Sequence, residues 1–395
     1  MSKSQLKTTL TISGCLLITL CMGSLHAFST LIEQIELQTG VGRMMSSLVY
    51  SAGLMSVTLA VFFGHIFYRR FDASALMLMA TILPLFGVLL TSSETWLGWL
   101  VGYGLFFGFA SGLGYGFSLH ACTIVTSEKK RGLVLGAVTA AYALGAVVFS
   151  LIYPYLLTEL GLKVAYGIGT GLIGFIVGVG ALMLLFSKIE TRPCQSSQQQ
   201  NPKPIQLSFV KLWFGYCLGV FAGLMAIGHA VPIIKTMGGD AQLASTGIVL
   251  MSLGSGAAGL IAGYIADQFG CQKPLAVLTL ASTISLVLLA VFGDVQTALI
   301  LMICIATFYG AFIAIYPTLV VNLFGKEHSA WAYGKVFTAW GFAGLSAPLL
   351  AGWLYEQNDS YNIALLIAAL FALISTMVIF RLPSQDSIKL KPSKI

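Results

Sequence analysis

Of 395 residues, 57% are hydrophobic and 9% charged, far fewer charges than the roughly 25% of a soluble domain, so the solvent for most of this chain is lipid. The net charge of +7 would suit a nucleic-acid binder, but its placement along the chain assigns it instead to orientation in a membrane and contact with anionic inner-leaflet lipid. The seven cysteines are scattered and give neither a disulfide framework nor zinc spacing, and no metal or cofactor is expected.

In chain order, apolar windows of about 20 residues, the length that crosses a hydrocarbon core, predict helices over 8–29, 46–66, 75–92, 97–124, 133–157 and 165–187. A second set follows over 207–233, 243–263, 275–293, 296–321, 331–353 and 362–381. The first window follows Lys3 and Lys7 as a signal peptide would, yet one removable segment explains none of the later runs. Twelve spans place both termini on one side. With that side cytoplasmic, eighteen of the 21 Lys and Arg fall inside and only Arg43, Lys163 and Lys235 outside, as the positive-inside rule requires. The expectation is a multi-pass cell-membrane protein, in the inner membrane if bacterial.

Residues 188–206 form an expected cytoplasmic linker, rich in Gln, Ser and Pro from Glu190 to Pro204. It divides the chain into a first six-helix bundle, 1–187, and a second, 207–395. The halves share weak repeats. Gly23-Ser24-Leu25-His26-Ala27 corresponds to Ala226-Ile227-Gly228-His229-Ala230 at an offset of 203, and Gly64 to Asp72 corresponds to Gly263 to Cys271 at 199. Internal repeats of this kind mark secondary transporters.

The sharpest local pattern runs from Gly263 through Asp267 and Gly270 to Lys273, a GxxxDxxGxxK loop after the eighth helix. Gly263 lets helices approach, Gly270 permits a tight turn, and Asp267 can cap a helix N-terminus or pair with a cation. The bland reading is a polar turn; the spacing favours a gate. In the first-half copy Gly64, Arg69 and Arg70 persist, but Tyr68 stands where the acid belongs. The fourth helix holds Gly104, Gly108, Gly112, Gly114 and Gly116; no soluble strand precedes them, so they predict close helix packing rather than a phosphate loop.

The GxxxDxxGxxK loop resembles that of the major facilitator superfamily. A finer resemblance, to the oxalate:formate antiporter family and its monocarboxylate-transporter relatives, rests on Gly23 to Ser29, Ala222 to Ala230, Tyr316-Pro317 leading to Phe324-Gly325, and Tyr333 to Gly341. It implies an all-α major facilitator fold of two six-helix bundles, working by alternating access without cofactor and as a monomer. It also implies an aromatic wall at a central site, carried here by Phe312, Tyr316 and Trp340. Two family cations are missing: the eighth-helix Arg and the Lys three residues after the Trp correspond to Gly259 and Ala343, and the first-helix Tyr corresponds to His26. Without those cations a dianion faces several kcal/mol of uncompensated desolvation, which argues against oxalate.

Ionisable groups inside a membrane are costly and are functional candidates by default. His26 and His229 occupy related helices and are expected to bind a carboxylate or carry a proton, against the alternative of a satisfied packing histidine. Lys335 either reaches substrate or snorkels to the interface; snorkelling is the better reading. Tyr115 and Tyr142 are weaker candidates for the cavity, and His65 and His120 are expected at the interface.

The resulting expectation is a carrier of a small, monocarboxylate-like organic anion, by proton symport or exchange, with no nucleic-acid partner. Efflux of a larger amphipathic compound is the rival within transport, and a receptor without flux the rival outside it. The chain has no GxSxG elbow, no metal-ligand cluster and no GxxxxGK[ST] loop, so neither an embedded enzyme nor a self-contained ATP-driven pump is expected.

Overall fold

The computed structural model describes residues 3–189, 206–292 and 294–382; the linker expected over 188–206 lies almost wholly outside them. Among the described residues every regular element is helical. Ten apolar stretches of the described residues are long enough to span a membrane, and two of them, Glu128–Ser187 and Val295–Tyr355, are of double length. The helix Arg131–Ser187 has 57 residues, about 85 Å at 1.5 Å per residue against a core of about 30 Å, so it must cross twice. Non-helical Gly161, with φ 72°, divides it, and Gly325, with φ 77°, divides Val295–Asn358 in the same way. Eight single and two double stretches make twelve crossings, numbered first to twelfth below.

The described chain forms two compact units, one of residues 1–127 and 141–194, the other of 128–140 and 195–395. The opening of the fifth helix therefore belongs with the second unit. Many large apolar side chains, such as Phe86, Phe175, Phe186, Val277 and Phe380, are exposed, which marks the faces that meet hydrocarbon rather than a core.

In the first unit the fourth helix lies against the second with backbones almost touching. A Cβ on Gly108 would stand 2.6 Å from the carbonyl oxygen of Gly53, and one on Gly112 would strike Val57. This is the packing role read from the glycine spacing. That helix also has a wide-turned π segment, Leu100–Phe107, before the regular Gly108–Val125.

Several elements depart from the predicted windows. The first helix is α-helical only over Lys3–Met22 and tightens to a 3-10 helix over Gly23–Thr30, followed by a short helix, Ile32–Thr39, that the windows did not predict. The seventh does not run unbroken to 233: Gln206–Gly228 ends at His229, and Ala230–Thr236 restarts beyond it. The eighth extends to Phe269, past the predicted 263, because its polar last turn remains helical up to Gly270. Hydropathy windows detect apolar length, and a change of helix type inside an apolar run leaves that length unaltered.

Candidate functional site

Both copies of the histidine repeat fall on helix breaks. In the first unit Gly23 starts the 3-10 segment, and a Cβ there would collide with the Tyr142 carbonyl, so the first and fifth helices meet backbone to backbone. Carbonyls loosened by the change of pitch find side-chain donors: Ser111 Oγ donates to the Met22 carbonyl at 2.9 Å and Tyr103 Oη to that of Leu25 at 2.8 Å. Ser111 has one proton and spends it on Met22, so at 2.9 Å Tyr142 Oη is the donor to Ser111 Oγ. His26 sits in the middle of this break. Its Nδ1 bonds the Tyr50 hydroxyl, Tyr142 meets its ring edge-on at 5.4 Å, and Phe28 stacks on Tyr50 at 5.6 Å. Tyr115 lies 5.1 Å from Tyr142. The histidine is thus ringed by hydroxyls and aromatic faces.

His229 occupies the equivalent break in the second unit with different partners. Its Nε2 donates to the Pro348 carbonyl at 2.8 Å, which leaves Nδ1 of the neutral ring to accept from Tyr361 Oη at 3.2 Å. A backbone carbonyl cannot reorient as a hydroxyl does, so the tautomer is fixed, and the ring ties the seventh helix to the eleventh and to the start of the twelfth. Tyr361 in turn stacks on Tyr355 at 4.5 Å.

Phe312, Tyr316 and Trp340 come together in one aromatic cluster of the second unit, and all three are buried. Tyr316 stacks on Tyr216 at 4.1 Å and donates to the Leu212 carbonyl at 3.2 Å; Trp340 donates to Tyr309 Oη at 3.0 Å and stacks on Phe337 at 5.0 Å. Gly215, Gly219 and Gly223 on the seventh helix make room for it: a Cβ on Gly219 would stand 2.5 Å from Phe312 Cζ, and one on Gly223 would strike Tyr309. Tyr216, Tyr309 and Phe337 are the members that sequence reasoning missed, although spacings 309/312/316 and 333/337/340 place each set on one helix face. Lys335 stands 4.2 Å over the Trp331 ring one turn earlier, a cation–π contact. Ala343 is fully buried.

The GxxxDxxGxxK loop builds a second centre, also inside the second unit. Asp267 accepts from the backbone N–H of Gly132 at 2.8 Å with one oxygen and from that of Leu133 at 2.9 Å with the other. It thereby caps the fifth helix, where the macrodipole favours an anion. Gly263 allows this approach, since a Cβ there would run into the Gly132 carbonyl. Gly270 ends the eighth helix at φ 76°, a left-handed value that a side chain disfavours. Lys273 is exposed. Neighbouring Gln272 donates to the carbonyls of Ile379, Phe380 and Leu382 within 3.1 Å, closing the end of the twelfth helix. In the first-half copy Tyr68 is buried, stacked on His120 at 5.0 Å and edge-on to Phe117.

Two apolar helical units, each with its opening span broken at a histidine, define a membrane carrier built from internal repeats. The chain belongs to the Major Facilitator Superfamily, whose family model matches residues 12–250 and 212–394. It is 28% identical to the oxalate:formate antiporter of Oxalobacter formigenes, over 73% of this chain and 71% of that one. To monocarboxylate transporter 10 of Danio rerio it is 27% identical, over 75% and 61%. The proton:xylose symporter XylE shares the fold at a TM-score of 0.76 and 13% identity, covering 95% of this chain and 96% of that one.

Proposed function

We propose that this protein is a secondary carrier of a small, singly charged organic anion of the monocarboxylate kind, moved by alternating access with a proton or in exchange for another anion. The observation that carries this reading is the His26 break. A histidine bonded to Tyr50 through one ring nitrogen and flanked by the aromatic Tyr142 offers a carboxylate its other ring nitrogen as a donor and one titratable group, with no fixed cation in place of the Arg and Lys that Gly259 and Ala343 replace. That balance suits one negative charge and disfavours two. Titration at His26 requires only that a hydroxyl turn, so His26 and Tyr50 handle the proton or carboxylate, while His229 holds the second broken helix in register. Phe312, Tyr316 and Trp340 back an aromatic wall, and Lys335 anchors at the interface against Trp331. Asp267, seated on the fifth helix by Gly263 and Gly270, holds the cytoplasmic end closed, with Lys273 completing the loop. Both termini are cytoplasmic and the working unit is the monomer in lipid.

The test is uptake into proteoliposomes of labelled formate, lactate, pyruvate and oxalate, with and without an imposed proton gradient. Gradient-driven monocarboxylate uptake, with oxalate excluded, is the result expected of symport. Uptake that needs internal anion and ignores the gradient selects exchange. Absence of flux for every acid overturns the proposal and leaves efflux of a larger amphipathic compound.

A further inference from the structure

Arg131 opens the fifth helix, and its side chain is 5% exposed. Neither its Nε nor its Nη2 has a hydrogen-bond partner. Nη2 lies 3.8 Å from Glu128 Oε1, beyond hydrogen-bonding reach, and the Glu128 side chain is 90% exposed, so that carboxylate is spent largely on water. Asp267, the other acid at this end of the helix, has both oxygens on the backbone N–H groups of Gly132 and Leu133. Lys326 adds a second positive charge within electrostatic range of Arg131 and Glu128. Arg131 is thus a buried guanidinium whose nearest carboxylate in the same turn stands out of hydrogen-bonding reach and largely in water.

The two unmet donors are not arbitrary. Nε–H and Nη2–H point the same way along one edge of the guanidinium plane, the fork that receives both oxygens of a single oxyanion. A buried charge left without partners is strongly unfavourable, and a buried polar group with no partner points to a water or ion that completes it. A single water can accept from one or both donors but brings no charge to offset the buried guanidinium.

We propose that the Nε/Nη2 edge of Arg131 is a binding site for a phosphate oxyanion on the membrane face that the positive-inside rule assigns to the cytoplasm. Inorganic phosphate and the headgroup of an anionic lipid present the same pair of oxygens. The site is independent of what the carrier moves, because its residues are separate from His26, His229 and the aromatic cluster.

The test follows thermal unfolding of the full-length protein in two arms. In neutral detergent, sodium phosphate is titrated against sodium chloride at matched ionic strength; in nanodiscs, phosphatidylglycerol is compared with phosphatidylcholine. A saturable rise in Tm with phosphate but not chloride identifies a free-phosphate site, and a rise confined to phosphatidylglycerol identifies a lipid site. Either is expected to disappear in Arg131→Gln. Because that variant removes a buried group and can misfold, Glu128→Gln is the second probe: it deletes the competing carboxylate, and half-saturation is expected to fall about threefold, the scale of one exposed ion pair. No rise in either arm, or the same response in Arg131→Gln as in the parent, overturns the proposal. So does Glu128→Gln with unchanged half-saturation where Arg131→Gln does not fold.

Discussion

The two copies of the GxxxDxxGxxK loop start from related sequence and end in opposite uses. In the second half, Asp267 leaves its own helix to cap the fifth helix, over a glycine contact too close for any side chain at Gly263. In the first half, Tyr68 at the matching position turns inward, and its ring fills the space beside Gly116, Phe117 and His120. One substitution converts a position that reaches another helix into one that plugs its own unit. The loop pattern therefore marks a place in the fold, and the residue at its fifth position decides whether that place is a latch or a piece of core.

The contrast is most exposed at Asp267. Asp267→Ala removes two charge-assisted hydrogen bonds, each worth about 1.5–3 kcal/mol, and initial uptake rates are expected to drop by tenfold or more; an unchanged rate would reduce the loop to a simple turn. The reciprocal change, Tyr68→Asp, does not restore a latch. It buries a carboxylate among aromatic rings at an expected cost of about 2–4 kcal/mol, read as a lower Tm, and a stabilised variant would show that the first-half copy still has a cap to make. Gly263→Ala drives a methyl into the Gly132 carbonyl and is expected to cost about 1–3 kcal/mol. Gly64→Ala meets the hydroxyl and ring of the Tyr68 side chain rather than backbone, and thermal melts should rank it below Gly263→Ala.

The histidines extend the comparison to the helix breaks. His229→Phe strips the donor from the Pro348 carbonyl and is expected to cost about 1–2 kcal/mol of stability. His26→Gln should leave the melt within about 0.5 kcal/mol, the range of a swap that keeps its hydrogen-bonding capacity, while flattening the pH dependence of uptake. The reverse assignment, with His229→Gln altering the pH profile and His26→Gln not, would exchange their roles.

Much of this was open to sequence reasoning because it depends on composition and short spacing. Apolar windows fixed the number of crossings, and the GxxxDxxGxxK pattern picked out Asp267 and Gly263 before any partner was known. The partners themselves were hidden. Nothing near Asp267 in the chain points to Gly132, 135 residues earlier, and nothing near His26 points to Tyr50 or to Ser111. Arg131 was invisible for another reason: in Lys129-Lys130-Arg131 all three look like solvated inside charges, and only the fold buries the third. The helix breaks escaped because a 3-10 segment and an α-helix of equal hydropathy have the same signature. The aromatic cluster was read in half, through Phe312, Tyr316 and Trp340, since Tyr216 joins it from a distant helix.

Gly161 and Gly325 bear on how the molecule is made. Each is the sole non-helical residue between two spans, so neither pair has an extended loop that could wait at the membrane surface while its second helix is synthesised. The fifth and sixth helices, and the tenth and eleventh, are therefore tight helical hairpins that can enter the bilayer as pairs. Each pair hinges on one residue at a left-handed φ that a side chain disfavours, and because an added Cβ at either would meet nothing within 4 Å, the demand for glycine comes from the turn itself and not from packing.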